Sequence, residues 1–123
     1  MHRSVKSIIL SALLAGTALG ATAANAAVHD GTWSVLIITE RGDCDRGYRY
    51  EVNVVNGHIS SNVDSAINLA GTVTPDGVTK VSIKAGEKAA SGTGRLSARS
   101  GSGVWHGVSA TGTCAGRWEA ELK

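Results

Sequence analysis

Between Thr32 and Leu122 a turn signal cuts the chain about every 8–15 residues, and the pieces between cuts alternate apolar with polar side chains. A period of two over four to eight residues builds a half-buried strand. No stretch sustains the 3.6-residue period of a helix. The chain is therefore restricted to antiparallel hairpins. Tyr48 to Val55 is the clearest case, with Tyr48, Tyr50, Val52 and Val54 on one face and Arg49, Glu51 and Asn53 on the other. Asn56-Gly57 follows, and both residues tolerate the positive φ of a type I′ hairpin turn. His58 to Ser61 reads as the short return strand, and residues 62–66 as a polar connection.

Ile67, Leu69, Gly71 and Val73 share the next face, and Pro75-Asp76-Gly77 turns the chain. Val81, Ile83 and Ala85 point in on the strand after it, with Lys80, Ser82 and Lys84 out. Gly86-Glu87 turns again. On the following strand Ala90, Gly92, Gly94, Leu96 and Ala98 share the inner face, where small residues leave room for a large neighbouring ring or a bend. Arg99 to Gly103 reads as a turn, Val104 to Ser109 as a strand and Thr111 to Gly116 as a cysteine-bearing turn. Arg117 to Leu122 closes the chain with Trp118, Ala120 and Leu122 inward. The first strand, Thr32 to Glu40, is apolar on both faces in its middle, as a covered strand would be.

Eight such strands predict an all-β domain, either a small eight-stranded antiparallel up-and-down barrel or a β-sandwich. The two ends of the chain favour the barrel. Gly31-Thr32-Trp33 and Gly103-Val104-Trp105 repeat a G-x-W pattern, and each precedes a cysteine, Cys44 or Cys114. Closure places the first and last strands side by side and removes the sheet edges that a small domain must otherwise protect.

The first 26 residues read as a cleaved signal peptide. His2, Arg3 and Lys6 form a basic start, Ile8 to Leu19 a short apolar run, and Ala24-Asn25-Ala26 an A-x-A cleavage site. A single mature domain, residues 27–123, is expected in the periplasm or outside the cell, without membrane insertion. The whole chain has 12 Lys+Arg and 10 Asp+Glu; Arg3 and Lys6 leave with the leader, so the mature charge is balanced. Charges are interspersed, which argues against nucleic acid, a ligand that demands a clustered basic patch. In an oxidising compartment two cysteines predict one disulfide, Cys44–Cys114.

Motifs that carry chemistry are few. Arg41-Gly42-Asp43 spells an adhesion tripeptide, which reads first as an ordinary loop beside a cysteine. Gly92-Thr93-Gly94 and Gly101-Ser102-Gly103 are half phosphate-loop patterns in strand context, so they read as barrel bends. Glu119 and Glu121 share a face but alternate with inward residues, as solvated outer side chains do. No nucleophile elbow, zinc-helix pattern or phosphate loop is present, so neither an enzyme nor a cofactor is expected. Cleavage after Ala26 would leave Ala27-Val28-His29 at a free amine. The amine, two backbone amides and the imidazole form a square-planar nitrogen set suited to Cu(II) or Ni(II). Trp33, Trp105 and Trp118 are the candidate ligand-binding residues, set against the alternative that they plug the core and the barrel ends.

The segments Gly31-Thr32-Trp33-Ser34-Val35, Gly42-Asp43-Cys44, Gly92 to Leu96, Gly101 to Trp105 and Cys114 to Ala120 together resemble a group of small exported alphaproteobacterial proteins. They are found especially in rhizobia and sometimes carry a heme-utilisation or adhesion label. The likeness covers nearly all of the mature chain and implies a periplasmic or secreted β-domain with no established activity. More distantly, an early G-x-W, eight short strands and one disulfide resemble lipocalin-like small barrels, which include periplasmic inhibitors of secreted metalloproteases. In those inhibitors the residues before the first strand enter the protease cleft, a role that would fall to Ala27–Asp30 here. The expected function is an exported, non-enzymatic protein that binds a small ligand or envelope component. The alternative is a protease inhibitor or another protein-binding or adhesion module.

Overall fold

Antiparallel hairpins in chain order can close into a barrel only if the last strand finds the first, and here it does. The computed structural model describes residues 26–61 and 67–123. The expected signal peptide, apart from Ala26, and the polar connection at 62–66 lie outside the described residues. Among the described residues the strands are β1 (Gly31–Arg41), β2 (Gly47–Val55), β3 (His58–Ser61) and β4 (Asn68–Val73), then β5 (Val78–Ala85), β6 (Lys88–Leu96), β7 (Ser100–Ser109) and β8 (Gly112–Leu122). Each pairs with the next, and β8 pairs with β1, giving a closed antiparallel barrel. Trp33 faces Leu122 and Ile37 faces Trp118 across the closing seam. That continuous pairing excludes the sandwich. A bulge between Thr39 and Arg41 ends the seam beside the β1–β2 loop.

Turn chemistry sets the register. Asn56 (φ 51°) and Gly57 (φ 77°) both take the positive dihedral that their turn requires. At the Pro75 turn the Gly77 amide donates to the Thr74 carbonyl at 2.8 Å. Once the turns are placed, the period-two pattern sends Trp33, Val52, Val54, Ile59, Val73 and Leu96 into one buried core. The opposite faces carry exposed Arg49, Lys80, Lys84, Arg117, Glu119 and Glu121. A barrel that spans a bilayer shows lipid an apolar outer band; this one is charged outside and apolar within.

Three features differ from the expectation. Residues 100–103 belong to β7 rather than to a turn, which is confined to 97–99 and takes Ala98 out of the strand. Cys114 lies within β8, paired with Gly107, and the preceding turn is only Ala110–Thr111. Leu36 and Ile38 face outward from β1, half-buried, flanked in register by Arg49, Glu119 and Arg117. Among the described residues no second layer covers β1; long charged side chains on the neighbouring strands shelter it.

The glycines at 101 and 103 are strand residues for a packing reason. Trp118 on β8 lies opposite Gly103 on β7, which lies opposite Gly94 on β6. A Cβ on Gly103 would sit 2.6 Å from the Trp118 indole nitrogen, and one on Gly94 would sit 2.5 Å from its ring carbon. The indole thus lies across two strands, in the space where two side chains would stand, and its N–H donates to the Thr93 carbonyl at 3.2 Å. Trp105 uses the same device one strand over. It faces Gly116 on β8 and donates to the Ile38 carbonyl on β1 at 3.1 Å.

The disulfide joins Cys44, in the β1–β2 loop, to Cys114 across a sequence separation of 70. A disulfide, with no helix among the described residues long and apolar enough to cross a membrane, is compatible with a secreted or periplasmic protein.

Candidate functional site

The inward faces do not fill the barrel evenly. Near the end that carries the Asn56-Gly57 and Pro75 turns, Trp33 is only 1% exposed, and Val54, Val73 and Leu96 are buried. Towards the other end Val35, Ile37, Leu69, Val81 and Ile83 also point inward, yet each stays only half-buried. The side chains around them do not meet. Between them lies a chamber of about 100 Å³, and above it, at the disulfide end, a wider mouth of about 390 Å³. Tyr48, Tyr50, Ile83, Ala90 and Trp105 line both, so the two spaces share a neck.

The chamber offers almost no polar group to a guest. The Trp105 and Trp118 indole N–H groups, which line it, are already donated to backbone carbonyls. The Thr79 hydroxyl is spent on the Gly77 carbonyl at 2.9 Å. Any polar atom brought here would lose its water without a replacement partner, at a cost of about 1–3 kcal/mol or more. The mouth differs. Asp43, Asp45, Lys88, Ser109 and Thr111 line it together with Ile67 and Val108.

Tyr48 and Tyr50 stand at the neck with ring centroids 5.2 Å apart and planes at 83°, an edge-to-face pair. Burial, with the neighbouring Tyr48 adding to it, holds the Tyr50 phenol far above its ordinary pKa. Tyr50 is therefore uncharged at any ordinary pH. Behind it the Thr39 hydroxyl donates to the Asp45 carbonyl at 2.6 Å, and the Thr39 amide donates to the Arg46 carbonyl at 3.0 Å. With the Cys44–Cys114 bond, these contacts hold one rim of the mouth in place.

The three tryptophans are brought into one interior but to different depths. Trp105 and Trp118 wall the chamber, at 9% and 8% exposure. Trp33 plugs its far end, and its indole N–H donates to the His29 carbonyl at 3.0 Å. Trp105 alone of the three also lines the mouth, at the neck. The aromatic pair beside it there, Tyr48 and Tyr50, was visible in the sequence only as an inward-facing face of its strand.

His29 is folded under the barrel floor rather than held in a free tail. It is buried, and its Nε2 lies 3.3 Å from the Pro75 carbonyl. Asp30 Oδ2 accepts the Asn56 amide at 2.9 Å.

Apart from Asp43 at the mouth, the remaining motifs fall outside the interior. Arg41-Gly42-Asp43 is exposed at the disulfide end, where a Cβ on Gly42 would lie 2.3 Å from the Thr113 carbonyl. The tripeptide's glycine is thus required by the loop's contact with β8. Glu119 and Glu121 are solvated on the outer face, with Arg117 3.9 Å from Glu119. His58 is exposed on β3. His106 makes a cross-strand hydrogen bond with the Ser91 hydroxyl at 3.2 Å, on the exposed side of the sheet. Comparison of the chain with family models, with curated proteins and with solved structures finds no match.

Proposed function

We propose that this barrel is an exported, non-enzymatic binding protein that takes a small, mainly apolar ligand through its disulfide-bearing end. One observation carries the reading: the inward apolar side chains Val35 and Ile37 on β1, Leu69 on β4, and Val81 and Ile83 on β5 stay half-buried around a shared interior space. Apolar surface left open inside a fold is a standing gain of about 25 cal/mol per Å² for whatever covers it. The chamber alone is smaller than the roughly 150 Å³ cavity that holds a benzene ring. A fitting ligand is therefore slender at its inner end, broader at the mouth, and polar where Asp43, Asp45 and Lys88 meet solvent. A single-chain amphiphile has that shape and polarity.

Dodecanoate is a suitable first probe, read through the emission of Trp105 and Trp118. The wild-type protein should give a saturable one-to-one shift. Ala90→Leu, which puts a larger side chain into the neck, should abolish that shift while leaving the barrel folded by circular dichroism. A shift that does not saturate, or one that is unchanged in Ala90→Leu, overturns the reading.

A second reading, a protein partner at the opposite end, is favoured by two exposed apolar side chains. Val28 and Val55 are 58% and 60% exposed, next to the Asp30–Asn56 contact. In that reading Ala27–Asp30 meets the partner as part of the folded floor. Entering a protease cleft as a tail would first cost the His29 and Asp30 contacts.

A further inference from the structure

The barrel floor holds a feature that apolar-ligand binding does not use. Among the described residues, the buried side-chain polar atoms without a hydrogen-bond partner are His29 Nδ1 and Asp30 Oδ1, on adjacent residues. Leaving such atoms unpaired costs about 1–3 kcal/mol each, so each calls for an explanation. For His29 the tautomer supplies one. A carbonyl oxygen can only accept, so the Nε2 that faces Pro75 O carries the ring proton. In the neutral ring Nδ1 is then a bare lone pair, buried and unused. This is the arrangement of a metal-ligating histidine, whose other nitrogen is held by a backbone carbonyl.

No group of three or more His, Cys, Asp or Glu side chains able to hold a metal exists among the described residues, so the remaining donors must come from the main chain. They are close at hand if the chain is cut after Ala26. His29 is then third from a free amine, and the Ala27 amine with the Val28 and His29 amides completes a four-nitrogen plane around Nδ1. Val28 is exposed, so what a turn of its peptide towards the ring gives up is the main-chain hydrogen bond from the Asp30 amide to the Ala27 carbonyl, 3.1 Å long.

We infer that the exported protein, its N-terminus at Ala27, binds one Cu(II) ion through the Ala27 amine, the deprotonated Val28 and His29 amides and His29 Nδ1, the two amide protons passing to solvent. The Pro75 carbonyl keeps the ring seated on the barrel floor while the ion is bound. The inference rests on the expected cleavage and is independent of the chamber.

The test uses protein exported with its own leader, purified from a bacterial periplasm and checked by intact mass. Copper sulfate is titrated in while tryptophan emission and the visible absorption of a four-nitrogen copper complex are followed. Trp33 donates to the carbonyl of His29 itself, so an ion on that residue quenches it strongly. The expected result is saturation at one equivalent with loss of Trp33 emission. Val28→Pro, which removes a required amide while keeping His29, should lose stoichiometric binding, as should His29→Ala. The melting midpoint discriminates further. The same residues bind copper in the unfolded chain, so the midpoint reports only whether the folded seat suits the ion as well as the unfolded one does. It should not fall on loading. A mass that places the N-terminus elsewhere overturns the inference. So do absent binding, binding retained in Val28→Pro, and a midpoint that copper lowers.

Discussion

The two ends of this barrel are closed by different physics. At the floor, Trp33 fills the cross-section, and short main-chain and side-chain contacts from His29 and Asp30 seal it from below. At the mouth the inward side chains stop short of one another, and the rim is held by the Cys44–Cys114 bond and the Thr39 contacts to the loop. Packing makes the floor rigid by filling it. A covalent bond can make a rim rigid while leaving it open. A small barrel that must stay hollow at one end cannot rely on packing there, and the cross-link supplies the constraint instead.

That contrast can be broken most forcefully at the floor. Trp33→Ala removes the plug and leaves a cavity beneath the chamber, at a cost of about 3–5 kcal/mol. Tyr48→Ala at the mouth, where the side chain is already partly in water, should cost about 1 kcal/mol. Urea unfolding followed by circular dichroism compares the two. Equal costs would mean that the mouth is as tightly packed as the floor. The second test acts on the rim. Reducing the disulfide releases a loop closed over 70 residues, worth up to about 4 kcal/mol in the chain-entropy model. Dithiothreitol should lower the thermal midpoint clearly. An unchanged melt would show that hydrogen bonding alone holds the rim.

The smallest effect sharpens the description of the floor. The Thr74 hydroxyl, hydrogen-bonded to the Asp76 carboxylate, holds its pKa below the ordinary value, with Arg95 and then His29 adding to it. Because the folded pKa is depressed, the stabilisation is present above the unfolded pKa and is lost as pH falls through the folded one. Melts recorded down into the acid range should show a slight extra loss that Asp76→Asn lacks. The carboxylate is fully exposed, so solvent keeps the effect small.

Strand count, the inward faces of β2, β4, β5, β6 and the end of β8, and the positions of most turns could be read from the chain alone. Alternation and turn dihedrals are local properties: Tyr48 to Val55 followed by Asn56-Gly57 specifies a hairpin without reference to the rest of the molecule. The pairing of first and last strands was also legible, from the matched G-x-W segments and the two cysteines. The status of individual glycines was not. Gly101 and Gly103 carry the composition of a turn; as strand residues they make room for β6 and for a ring, Gly101 lying against Leu96 and Gly103 under Trp118. Cys114 also looked like a turn residue and proved to be part of β8, paired with Gly107. The depth of each tryptophan, the neck formed by Tyr48 and Tyr50, and the burial of His29 against Pro75 were likewise undecidable from order along the chain. Local pattern says which side of the sheet a residue faces. How far along the barrel axis it sits, and whether its neighbours meet across the interior, depend on contacts between strands distant in sequence, which exist only once the barrel has closed.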